Sequence, residues 1–288
     1  MDWLVTLTGA AVVLIILRDV FHTLWHPTRH GGLSRVVMTG LWRLLPPSRA
    51  VRGAAGLVGP LGMVCVVVMW AGGVAVGWAL VYWPHLPEAF SFSSSLDPAD
   101  HAGPVDALYV SLVVLATLGL GDIAPAAGWL RVVAPLEALV GFALLTATVS
   151  WILGIYPALA RRRALALRIR HLRRAGATPQ QLDSDTGAAI LDGLAQEVTR
   201  VCVDFTQYPE SYYFHDGHGD TSLARTITCA ADLAERGRTA RGAGTRLAAS
   251  VLTSALEDLA AVLDARFLHT EGSPQQVLAA YARDHSTG

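Results

Sequence analysis

Lysine is absent from this 288-residue sequence, and charged residues make up only 16% of it. All fixed positive charge therefore rests on arginine, whose placement can be followed along the chain. Cysteine is scarce as well, with Cys65, Cys202 and Cys229 far apart, so no disulfide framework is suggested and reduced thiols are expected. No phosphate-binding glycine loop, activated nucleophile or metal-ligand cluster stands out, so no catalytic function and no cofactor are expected. The net charge of −1 says little about partners, because charge is segregated along the chain, and nucleic acid is not expected among them. Apolar residues, in contrast, make up 52%, with a mean hydropathy of +0.41, which argues against an ordinary soluble domain.

Crossing ~30 Å of hydrocarbon takes ~20 mainly apolar helical residues, since the helix satisfies its own backbone hydrogen bonds. Three stretches qualify: Trp3 to about Leu17 and on toward Trp25, Leu57 to Trp83, and Trp129 to Tyr156. Aromatic residues close each of them, as at a membrane interface. The first stretch has Asp2 where a signal peptide would carry a basic residue and lacks a small-residue cleavage site, so it is read as a retained span.

Arginine sets the expected orientation. Arg29, Arg35, Arg43, Arg49 and Arg52 lie between the first two spans, and Arg161, Arg162 and Arg163 follow the third. Both regions are expected in the cytoplasm. The segment from Pro84 to Val105 has acids but no arginine and is expected outside, as is the N-terminus.

Between the first two spans, residues 33–45 alternate apolar residues with Arg35 and Arg43 at helical spacing, which predicts an amphipathic helix on the inner membrane surface; a plain connector is the alternative. Pro84 to Gly103 reads as a loop. Val105 to Ala116 then forms an apolar helix of about three turns, too short to span, running into a glycine-rich turn. That is a re-entrant arrangement, allowed only where irregular backbone is buried in protein or lines water. Beyond Tyr156-Pro157, Arg161 to Arg174 predicts a basic helix continuing inward from the third span, and the remainder predicts a small helical bundle with starts at Thr178-Pro179 and Ser273-Pro274. No segment alternates like a strand. The expected segments are thus 1–28, an N-terminal span; 29–56, a cytoplasmic connector with an interfacial helix; 57–157, two spans around the re-entrant segment; and 158–288, a cytoplasmic helical domain.

Within the turn, Thr117-Leu118-Gly119-Leu120-Gly121-Asp122 has the chemistry to strip water from a cation. Aiming successive carbonyls at one axis needs unusual backbone angles, which Gly119 and Gly121 adopt without a Cβ penalty. Thr117 can add its hydroxyl at the inner end. The preceding helix points its partially negative C-terminus at the pore, and Asp122 would ring the outer mouth with carboxylate.

This stretch resembles the Thr-Val-Gly-Tyr-Gly-Asp signature of tetrameric potassium channels. The resemblance covers Leu57 to Tyr156, with Tyr109-Val-Ser111 and Ala116-Thr117 at the pore-helix end, Asp122 to Pro125 at the filter exit and Trp129-Leu-Arg131 opening the inner helix. Glu137 and Gly141 also look like the inner-helix pattern. It implies an all-α membrane protein: outer helix, re-entrant pore helix and filter, inner helix, plus an extra N-terminal span and a cytoplasmic helical bundle. It further implies permeant potassium ions in the filter, a homotetramer because four loops make one filter, and a gating hinge at Gly141. Glycine that merely lets helices pack is the other reading of Gly141.

Leu120 departs from the family tyrosine and removes a phenol that would brace the filter; some two-pore-domain potassium channels resemble this Gly-Leu-Gly form in their second pore. Val113 stands where some members place a carboxylate. A weakly selective cation channel, and a membrane-anchored regulatory protein with a vestigial pore, remain as alternatives. Arg18 and Asp19 read as a paired helix end snorkelling to the interface, and no arginine repeat marks a voltage sensor. The loop His215 to Asp220 reads as solvated, with a metal or proton sensor as the alternative, and the Arg161 to Arg174 helix reads as obeying the positive-inside rule, with lipid head groups as the alternative partner. No gating ligand can be read.

Overall fold

In the computed structural model, residues 2–24, 32–44, 57–176, 178–215 and 222–286 are described. They form helices α1 (Asp2–Leu24), α2 (Leu33–Leu44), α3 (Val58–Tyr82), α4 (Pro104–Leu115), α5 (Leu130–Ala175), α6 (Pro179–Leu182), α7 (Asp185–Gln207), α8 (Leu223–Arg238), α9 (Ala243–Leu263) and α10 (Pro274–Ser286). Three stretches are long and apolar enough to cross a membrane: Asp2–Leu24, Val58–His85 and Leu130–Ala175. All three expected spans and the short apolar helix between the last two are present. The chain gathers into two compact units, Met1–Val37 with Met63–Ile152, and Met38–Gly62 with Leu153–Gly288.

In the first unit, α1 lies against α3 where side chains are smallest. A Cβ built on Gly9 would sit 2.4 Å from the Gly77 carbonyl oxygen, and one on Gly77 would sit 2.7 Å from Val13. Gly73 and Gly77 form a small-x-x-x-small stripe, the device by which membrane helices approach closely in the absence of a hydrophobic driving force. Asp19 is not a snorkelling helix end. It is buried, and its carboxylate accepts from Trp70 Nε1 at 2.8 Å and from the backbone N–H groups of Gly32 at 3.0 Å and Leu33 at 2.9 Å. An acid on α1 thereby caps the N-terminus of α2, where unpaired amides and the helix dipole favour negative charge.

The outer segment contains structure that alternation could not reveal, because each strand is three residues long. β1 (Phe90–Phe92) pairs antiparallel with β2 (Ile123–Pro125), and Ser93 N donates to the Asp122 carbonyl at 2.8 Å. Tyr82, Leu86, Phe90, Ala107, Val110, Ile123 and Leu130 form the apolar core beneath this ribbon.

The second unit is a helical bundle in which α7 and α9 make the most extensive pairing. Its expected helix starts are sharp. Thr178 and Gln181 exchange backbone-to-side-chain hydrogen bonds, and Ser273 and Gln276 do the same, so both Pro-Gln-Gln starts are capping boxes. α5 runs 46 residues without a break through Pro157, or ~70 Å, so the basic stretch from Arg161 to Arg174 continues the third span as expected. The arginines after that proline are held internally. Arg161 forks onto Asp204 at 2.8 and 2.6 Å, and buried Arg162 donates to the carbonyls of Ser211 and Phe214, both at 2.7 Å. Positive-inside placement alone does not describe these groups; their donors are also structural.

In the same unit, Trp42 of α2 stacks on His215 at 4.7 Å, and Thr39 bonds the Tyr213 hydroxyl at 2.9 Å. Of the expected loop at His215 to Asp220, only His215 falls among the described residues. Among those residues no group of three His, Cys, Asp or Glu side chains is placed to hold a metal ion.

Candidate functional site

The site begins with the entry of α4. Pro104 occupies a first-turn position, where a missing N–H costs nothing, and the Asp106 carboxylate reaches back to Gly103 N at 3.1 Å and to His101 Nδ1 at 3.0 Å. Ala107, Val110, Ser111 and Val113 face the interior.

Its C-terminus is closed by a Schellman arrangement. Leu118 N donates to the Val113 carbonyl and Thr117 N to the Val114 carbonyl, both at 2.9 Å, while Thr117 adopts φ +57°. That left-handed position normally goes to glycine. Thr117 thus fills the helix cap and begins the next segment at once.

From there the backbone alternates in handedness. Thr117, Gly119 and Gly121 have φ of +57°, +57° and +79°, while Leu118 and Leu120 remain at negative φ. In a strand, carbonyls point alternately to opposite sides; alternating left- and right-handed residues turn them toward one side, which a row of cation ligands requires. Within the single subunit a Cβ on Gly119 would meet nothing within 4 Å, so what calls for glycine there is its φ. Leu118 and Leu120 are 62% and 61% exposed in the single subunit.

Asp122 ends the segment and is fixed from three directions. Its carbonyl takes Ser93 N, β2 follows it, and its Oδ2 accepts from the Tyr109 hydroxyl of α4 at 2.6 Å. That bond, above all, holds the Asp122 carboxyl below the usual carboxylate range. A phenol on α4 thereby holds the residue that follows Gly121. The signal was in the sequence, since Tyr109 lies two turns above the end of α4, but its target 13 residues on was not identified there.

Gly141 of α5 lies against the end of α4: a Cβ built there would sit 2.0 Å from the Leu115 carbonyl oxygen. Gly154 is covered by the Tyr208 ring, 2.6 Å from a built Cβ. Both glycines therefore have packing reasons to lack a side chain.

Comparison with known proteins places this geometry. Residues 64–155 match a family model described as ion channel. The chain is 28% identical over 154 residues to the uncharacterized membrane protein YdjJ of Bacillus subtilis (strain 168). That alignment covers 52% of this chain and 43% of the relative's length, so the chain spans less than half of that protein. No solved structure matches significantly. The matched residues take in most of α3, all of α4, the turn and the part of α5 up to Ile155, so over 64–155 the chain is similar to that ion channel family.

Proposed function

We propose that this protein is a potassium channel in which four copies of Thr117 to Asp122 line one conduction path. The observation that carries the reading is the alternation of positive φ at Thr117, Gly119 and Gly121, placed at the C-terminus of a short helix between two spans. Carbonyls turned to one side by that alternation replace a cation's hydration shell, and the helix end behind them adds partial negative charge. One chain supplies one such loop, so a closed path requires a cyclic homotetramer in the plasma membrane, with lipid around it. The Asp122 side of the filter is outside and the helical unit that follows α5 is cytoplasmic, as arginine placement argues. Gly141 is the proposed gating hinge, subject to its close contact with Leu115.

The filter is tested by potassium flux from liposomes, with wild type beside Gly119→Ala. Alanine meets no neighbour within its own subunit at that position, and it brings a left-handed backbone penalty of ~1–2 kcal/mol per subunit. Strong loss of flux is expected, and equal flux through both proteins overturns the assignment. Reversal potentials decide selectivity: a potassium-to-sodium permeability ratio near unity would make it a weakly selective cation channel.

A further inference from the structure

Glu137 is a fully buried acid in the middle of an apolar run of α5, and among the described residues no cationic side chain pairs with it. Its partners are two hydroxyls, both also fully buried. Tyr82 Oη at the end of α3 donates to Oε2 at 2.5 Å, and Ser111 Oγ of α4 lies 2.6 Å from Oε1. Ser111 Oγ lies as well 2.9 Å from the carbonyl oxygen of Ala75.

Counting protons decides the form of the acid. A carbonyl oxygen only accepts, so the contact to Ala75 uses the single proton of Ser111. The shorter contact from Ser111 to Oε1 then needs a second proton, and the carboxyl group is its available source. An ionised carboxylate would leave one contact as oxygen facing oxygen and would sit buried without a counter-charge, an arrangement that burial penalises heavily. A neutral acid satisfies every atom: Tyr82 donates to Oε2, the acid donates to Ser111, and Ser111 donates to Ala75.

We propose that Glu137 is a positioning residue, acting as an un-ionised carboxylic acid that latches the pore helix α4 to α3 and α5 and so fixes where the filter begins. Ser111 lies six positions before Thr117 on the helix whose capped end becomes the filter. Gly141, one turn beyond Glu137 on the same face of α5, receives the Leu115 carbonyl at the end of that helix. The acid ties α4 near its middle and the glycine seats its end, so the pore helix cannot slide or tilt without breaking one of the two. The role rests on the filter reading above; the protonation does not.

The test therefore has two independent readouts on the full chain. Infrared difference spectra of wild type against Glu137→Gln, at and above neutral pH, should show the carbonyl stretch of a protonated carboxylic acid that the variant lacks. Ser111→Ala should shift that band by removing its acceptor. In reconstituted liposomes Glu137→Gln, which keeps the donor and the acceptor, should conduct with an unchanged permeability ratio, whereas Glu137→Ala should lower the ratio about ten-fold, the effect of one lost buried hydrogen-bonding set. Absence of the band overturns the neutral acid. A permeability ratio in Glu137→Ala equal to wild type, or one in Glu137→Gln lowered as far as in Glu137→Ala, overturns the positioning role. If Glu137→Ala fails to fold, Glu137→Gln and the band still decide. Equal flux through wild type and Gly119→Ala removes the filter reading separately, because the band needs no conduction.

Discussion

The Tyr109 hydroxyl of α4 donates a 2.6 Å hydrogen bond to the Asp122 carboxylate, linking the helix that precedes the Thr117–Asp122 turn to the residue that ends it. This contact closes the turn that carries the positive-φ residues Thr117, Gly119 and Gly121.

Removing that hydroxyl in Tyr109→Phe should lower potassium flux several-fold and move its acid limb upward. The sign follows from the depressed Asp122 carboxyl: its stabilisation is complete above the ordinary carboxylate pKa and is lost as pH falls through the lower folded value. Without the phenol the carboxyl returns toward its ordinary range, so inactivation on acidification begins at higher pH. Flux against pH for both proteins checks this, and superimposable acid limbs would show that the bond carries no weight in the open filter.

Gly141 supplies a test whose two readings differ in sign. Glycine to alanine inside a helix normally stabilises, by ~1 kcal/mol. Here the new methyl would stand 2.0 Å from the Leu115 carbonyl oxygen, so α5 and α4 must separate, at the ~1–3 kcal/mol typical of overpacking. Gly141→Ala should therefore lower the thermal midpoint of the purified protein. A raised midpoint with altered open probability would assign Gly141 to hinge bending alone.

The elements legible in the sequence are those that local composition fixes. Long apolar runs gave the three spans, Thr178-Pro179 and Ser273-Pro274 gave two helix starts, and the glycine spacing from Thr117 to Gly121 marked a backbone needing positive φ. Side-chain partners distant in sequence were not legible. Asp19 was read beside Arg18, whereas its partners are Trp70 and the amides of Gly32 and Leu33, which only the folded path of the chain brings to it. The stripe Gly73-x-x-x-Gly77, in contrast, is a local signal of close helix approach. Pro157 stands inside α5 without ending it, because a proline removes one backbone bond while packing along α5, with Ile155, Ala158 and Leu159 all buried, holds the rest.

His285 makes acid stability a property of the helical unit that contains α10. It is buried in α10, with Nε2 2.9 Å from the Tyr212 carbonyl oxygen, so Nε2 must carry the proton of the neutral ring. Burial, first of all, pulls its pKa down from 6.5 to about 4, against the raising effect of the Tyr212 carbonyl. Arg162 and His215 also oppose the charge, whereas Asp284 favours it. The unfolded chain therefore binds a proton that the folded chain refuses. Stability is complete above about pH 6.5 and is lost as pH falls toward about 4, by roughly 3 kcal/mol over that window. His285→Gln retains a donor for Tyr212 and cannot titrate. Its thermal midpoint should start slightly below wild type at neutral pH and decline less steeply on acidification. Parallel curves for the two full-length proteins would mean that another group sets the acid limit.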